Sequence, residues 1–136
     1  MSSVSDIKDQ LASILGEVDG INRALDYMPR FFDTNNMIGI FYDGATFEPA
    51  ELSSHWAHYK FTITAFIYMF DETSIQQTQE TLGEDLLSAL RAKPSLNQTC
   101  LKYSIEEIRN DYVRAGNGNV YATIEITIVA DKEEDD

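Results

Sequence analysis

Residues 57–70 alternate strictly. Ala57, Tyr59, Phe61, Ile63, Ala65, Ile67 and Met69 form an unbroken apolar row, while His58, Lys60, Thr62 and Thr64 are polar before the even positions turn aromatic at Phe66, Tyr68 and Phe70. A period of two sends successive side chains to opposite faces, so the stretch reads as a strand. At about 3.3 Å per residue it would reach roughly 45 Å, more than twice the usual strand length. Such a strand outruns the core of one small domain or curves around it. The aromatic end of its even face asks for cover on both sides, and a second copy of the chain is one candidate for that cover.

A strand of this kind needs a partner, and residues 120–129 supply one. Val120, Ala122, Ile124, Ile126 and Ile128 alternate with Tyr121, Thr123, Glu125, Thr127 and Val129, which predicts an antiparallel neighbour. A cover for one sheet face is predicted over residues 74–93. There, Thr73 with Gln76 or Ser74 with Gln77 can form a capping box, and Ile75, Gln79, Leu82, Leu86, Ala89 and Leu90 make a buried stripe. Arg91 and Lys93 suit the C-terminal dipole before Pro94 ends the helix. A shorter amphipathic helix is expected from Val4, Ile7, Leu11, Ile14 and Leu15, with Ser5 or Asp6 as cap and Gly16 as stop.

The rest of the chain reads less regularly. Residues 18–28 suggest a weak strand or irregular backbone, and 30–36 a turn after Pro29. Residues 37–42 form an apolar strand closed by Asp43-Gly44, a turn dipeptide. Residues 43–55 show no sustained period and read as a long loop, with Phe47 and Leu52 either docking contacts or satellite packing. A strand is expected at 99–103. Ile105, Ile108 and Tyr112 then fit a single helical turn or a bulged strand equally, ahead of a Gly-Asn turn at 115–119. The expectation is an α+β fold, with a mainly antiparallel sheet of long strands, one major helix on one face and a short N-terminal helix. It forms a single domain over 1–130, followed by a disordered acidic tail at 131–136.

With 136 residues, 43% of them hydrophobic, the chain can bury a real core. Ten Lys plus Arg against 23 Asp plus Glu give a formal net charge of −13, which repels phosphate and argues against sequence-specific nucleic-acid binding. Met1-Ser2-Ser3-Val4 has neither the basic start nor the apolar run of a leader, so synthesis in the cytoplasm is expected, and no stretch is apolar enough to span a membrane. His55 and His58 flank Trp56 at a spacing that puts them on opposite faces of a strand, a poor metal pair, and they read as surface or interface histidines. Cys100 sits in a predicted strand as an apolar filler, without a cationic neighbour besides Lys102 to activate it. Gly116-Asn117-Gly118 opens no helix and is no phosphate loop. No enzyme and no cofactor is expected.

The order of elements, with Tyr59-Lys60-Phe61-Thr62-Ile63-Thr64-Ala65-Phe66-Ile67, the helix end Leu86-Leu87-Ser88-Ala89-Leu90 before Pro94-Ser95-Leu96, and the closing run from Val120 to Ile128, resembles the tail terminator proteins of long-tailed bacteriophages. The resemblance spans nearly the whole chain as a pattern of elements, not as a signature motif. It implies a virion protein that forms a homo-oligomeric ring, usually a hexamer. The ring caps the tail tube, stops its polymerisation and meets the head connector, with DNA passing through unbound. On that reading Phe47, Leu52, Trp56, Phe66, Tyr68 and Phe70 are candidates for the oligomer or docking interface, and Glu106, Glu107 and Asp111 for the channel surface. A head-completion or neck protein is the nearest alternative, and an acidic mimic of DNA a more distant one.

Overall fold

The computed structural model describes residues 3–29, 36–68, 72–114, 118 and 120–135. Its centre is the predicted pair of strands: β3 (Ser54–Tyr68) runs antiparallel to β5 (Val120–Asp135), with Ile63 opposite Ile126 and Phe61 opposite Ile128. β2 (Met37–Glu51) extends the sheet antiparallel beyond β3, and β4 (Lys102–Arg114) does so beyond β5. The two-residue β1 (Arg23–Ala24) lies parallel to the start of β2, giving the order β1-β2-β3-β5-β4.

Two helices cover one face of this sheet, here called the inner face. α1 (Ser3–Gly16) buries Ile7, Leu11, Ile14 and Leu15 against β1 and β2. α2 (Glu72–Arg91) buries Ile75, Leu82, Leu86 and Leu90, residues that recur at the three- and four-residue spacing of one helical stripe, against β5. Between them sits one core of helix residues with Ala57, Phe61, Ile63, Ala65, Ile124, Ile126 and Ile128. Gln79, fully inside, donates from Nε2 to the backbone oxygens of Thr123 (3.1 Å) and Asp111 (3.2 Å), so its amide is satisfied where α2 crosses β4 and β5. The α+β architecture with a short N-terminal helix is the one expected from the sequence.

Three local expectations need correction, and one alternative left open is resolved. Residues 43–55 are no loop: β2 continues to Glu51 and turns at Leu52-Ser53 straight into β3. The charged run after Ala130 is no frayed tail, because β5 continues through Asp135 in register with β3. Cys100 lies in a turn, not a strand; residues 96–98 have positive φ (48°, 56° and 70°), and β4 begins only at Lys102. Residues 104–112, open between helix and bulged strand, are strand, with the bulge between Ile105 and Glu107.

Among the described residues the outer face carries no helix, yet part of it is covered. Segment 27–29 lies over Gly39, where an added Cβ would sit 2.6 Å from Pro29 Cδ, 2.8 Å from Met28 Sδ and 3.1 Å from the Tyr27 oxygen. Gly39→Ala should therefore push this segment off the sheet and cost about 1–3 kcal/mol, read as a lower urea midpoint. An unchanged midpoint would mean that 27–29 does not rest there. Ile126→Asp should abolish folding, since an unpaired buried carboxylate costs several kcal/mol; a cooperative wild-type melt from that variant would overturn the assignment of faces.

Candidate functional site

Beyond the helix-covered core, the ends of β2, β3 and β5 continue together as a three-stranded arm. Its turn carries Leu52, fully exposed at 107% of reference, and Phe47 on β2 is 60% exposed with its ring edge-on to His55 at 5.5 Å. Leu52-Ser53 makes the tightest possible connection between paired strands, since Glu51 is opposite Ser54. Two large apolar side chains are thus held in water on a short, well-paired hairpin, an arrangement suited to docking.

The arm carries little apolar burial, and hydrogen bonds from neutral or cationic donors to its carboxylates hold it together. On the inner face Glu134 accepts from Tyr59 Oη at 2.6 Å and Ser3 Oγ at 2.5 Å, with His55 Nε2 3.5 Å away. Burial works against the Glu134 carboxylate, but hydrogen bonds from Ser3 and Tyr59, the Lys132 charge and the bond to His55 outweigh it and lower its pKa. The Tyr59 hydroxyl is pushed up to about 12 by burial and by its bond to Glu134. Ser3 in turn accepts from Lys132 Nζ at 2.9 Å, which ties the start of α1 to the arm.

On the outer face His58 bridges two strands, with Nδ1 2.5 Å from Asp131 on β5 and Nε2 2.9 Å from Glu48 on β2. The Asp131 bond, opposed by some desolvation and helped by the Asp131 charge and by Glu48, raises its pKa. Ser54 Oγ donates to Glu133 at 3.0 Å and Thr62 Oγ1 to Asp43 at 2.6 Å. Lys60 lies 3.8 Å from Glu106, beside a shallow hollow of about 580 Å³ that His58, Glu48 and Thr46 also line. Both histidines serve as carboxylate partners, one on each face. Among the described residues no group of three or more His, Cys, Asp or Glu side chains is arranged to hold a metal.

The predicted interface residues separate into two sets. Phe47 and Leu52 stand exposed on the arm, and Trp56 is half-buried at its base, opposite Glu48 and Glu133. Phe66 does not belong with them: only 8% exposed, it is already covered within the chain, and Tyr68 stacks edge-on to Tyr121 at 5.7 Å. The aromatic end of β3 is thus filled largely by the chain itself. Phe70 lies outside the described residues. Glu106, Glu107 and Asp111 are all exposed on β4, with Glu106 in the bulge and Glu107 and Asp111 opposite Thr127 and Thr123. Cys100 is buried, and burial lifts its thiol to about 11, a poor nucleophile.

Sequence reasoning missed the Glu48–His58–Asp131 bridge and the Ser3–Glu134–Tyr59 cluster. The first becomes visible only when the turn is set at Leu52-Ser53, which brings Thr46 opposite His58 and leaves Glu48 one step along the same face. The second joins residues from the two ends of the chain. No family model matches the sequence, and no curated protein matches it significantly.

These pairings predict how the arm responds to pH. His58 is raised above its ordinary 6.5, so its contribution is complete below that value and fades as pH rises through the higher folded value. Glu134 is lowered below its ordinary 4.5, so its contribution is complete above that value and fades as pH falls through the lower folded one. Protection factors of arm amides, after division by the intrinsic pH-dependent exchange rate, should therefore be highest in mildly acidic solution and fall toward alkaline pH, and His58→Gln should flatten that alkaline-side fall. Equal pH slopes in both proteins would refute the bridge.

Proposed function

We propose that this chain is a structural protein of a long-tailed phage, a tail terminator that closes as a ring on the finished tail tube, stops its growth and meets the head connector. The observation that carries the reading is the order and length of the elements: two long paired strands, a helix layer on one face only, and an arm that ends in exposed Phe47 and Leu52. The resemblance to tail terminators rests on this succession of helices and strands, in which residues 43–51 and 131–135 are strand where a loop and a loose end were expected. The ring would be a homo-oligomer, six-fold by the resemblance, resident in the virion.

The chemistry of the surface supports assembly rather than catalysis. The outer sheet face and β4 carry Glu106, Glu107 and Asp111 in water, and a channel lined by such carboxylates would let the DNA backbone pass without adhering. Arm residues Phe47, Leu52 and the half-buried Trp56 would supply contacts to the tube protein or to a neighbouring subunit. A net charge of −13 on each chain opposes closure, so raised ionic strength or a templating tube end should favour it.

Tails assembled without this protein should form tubes of uncontrolled length that fail to join heads, as imaged by electron microscopy. Leu52→Asp, at a site too exposed to affect folding, should bind tube ends less well than wild type. Tubes of normal length that join heads in its absence would sink the terminator reading. Tubes of normal length that cannot join heads would point to a neck protein instead.

A further inference from the structure

The two margins of the sheet are built differently. The outer margin of β2 pairs with β1 as far as Ile38, and the strand carries irregularities in its ladder with β3 between Tyr42 and Gly44 and between Pro49 and Glu51. Pro49 has no N–H to offer. β4 forms the opposite margin, and no described residue pairs with its outer side. After the bulge at Glu106 it runs regularly from Glu107 to Arg114, with Ile108, Tyr112 and Val113 42%, 49% and 38% exposed. A regular, unprotected edge of that length is a template for another strand.

Three hydrogen bonds tell which backbone groups of β4 face outward. The Tyr112 N–H donates to its neighbour's carboxylate, Asp111 Oδ1, at 2.8 Å and so points away from β5. Gln79 Nε2 reaches the oxygens of both Asp111 and Thr123, which places that opposed pair of carbonyls between β4 and β5. By the alternation of an antiparallel ladder, Ile108, Asn110 and Tyr112 present their N–H and C=O groups outward. The Asp111 side chain acts as a removable cover on one of them.

We propose that the occupant of this edge is the β4 strand of a second copy, antiparallel about a twofold axis through Asn110. That register sets Arg109 opposite Asp111 of the other copy, twice by symmetry, on the outer face. It sets Ile108 opposite Tyr112 on the inner face, and Arg114 falls opposite the bulge that holds Glu106. Moving the axis one residue either way sets Arg109 against Arg109 or Asp111 against Asp111. The strand is thus self-complementary in charge, in apolar pairing and in outward hydrogen bonding at one register. In the dimer Tyr112 N–H passes from Asp111 to the partner strand, and the freed carboxylate meets Arg109. The contact lies at the margin away from the arm, so Phe47 and Leu52 stay available, and the pairing does not depend on the ring.

Sedimentation of the full chain over a range of concentrations tests it, and a monomer–dimer equilibrium is expected. Asp111→Arg changes the net charge from −13 to −11, which eases general repulsion. It also sets arginine against arginine, so it should weaken the dimer at least roughly tenfold. Adding Arg109→Asp restores opposite charges and should recover most of that loss. Asn110→Cys should link to its own copy on mild oxidation, since opposed residues are about 5.5 Å apart, within disulfide reach. Glu107→Cys should not, its copies being displaced by roughly 20 Å. A monomer at every concentration, tighter association of Asp111→Arg, or equal linking at 110 and 107 would overturn the pairing. So would larger assemblies without a link at 110, which would direct attention to β2. None of these results bears on tail length, on which the ring reading is judged.

Discussion

The ladder between β3 and β5 is the part that every other element attaches to. β2 reaches the sheet through β3, β4 through β5, α2 lies over β5 and α1 over the β2 side. Its register is set by the apolar row Ala57, Phe61, Ile63 and Ala65 meeting Ile124, Ile126 and Ile128 on the inner face. A slip of one residue would turn His58, Lys60 and Thr62 into the core, so the pairing has no near competitor. The two strands are separated in sequence by α2 and β4, and the loop must close before the ladder stabilises anything. Closing that loop is the main entropic cost of forming the ladder.

Away from the core the same ladder is held by different means. At Ile63 and Ile126 burial of apolar area dominates, at about 25 cal/mol per Å². At His55, His58, Glu133 and Glu134 little apolar area is buried, and donors to carboxylates take over. Charge-assisted bonds of this kind are stronger than neutral ones but respond to pH and salt. One sheet therefore has a core half held without titrating partners and an arm half whose bonds respond to pH. The arm is also where the exposed Phe47 and Leu52 stand.

This division explains what could be read from the sequence. The long strand, its partner and the 74–93 helix were legible because each buries one face, and burial of one face is what produces an apolar period. The hairpin turn is not legible, because residues 46–53 are almost all exposed and carry no apolar alternation, and Pro49 and Asp43-Gly44 point to loop when read locally. The end of β5 reads as an acidic tail for the same reason. Its partners Ser54, His58, Tyr59 and Ser3 lie far away in sequence and follow no motif. Of the candidate site, Phe47 and Leu52 were found as apolar residues in an aperiodic stretch. Phe66 is 8% exposed within the chain, and its burial is not visible in a sequence whose even positions turn aromatic there.

The net charge of −13 looks at first like a threat to a sheet with so many acidic strand residues. Locally it is not. Asp43, Glu48, Glu106, Glu125, Asp131, Glu133 and Glu134 each have a hydroxyl, a histidine, a lysine or an arginine within bonding or ion-pair distance. The acids on the outer surface of α2, Glu80, Glu84 and Asp85, are exposed to solvent instead. These sheet acids are thus individually hydrogen-bonded or ion-paired where strands meet, but a hydroxyl partner leaves the carboxylate charge in place, so the sheet and the helix layer both keep a negative surface. A surface of that kind repels like-charged copies, so any association would have to come from places where strand chemistry or exposed apolar groups outweigh the repulsion. Those places are few and lie at the margins of the sheet, the hairpin arm on one side and the β4 edge on the other.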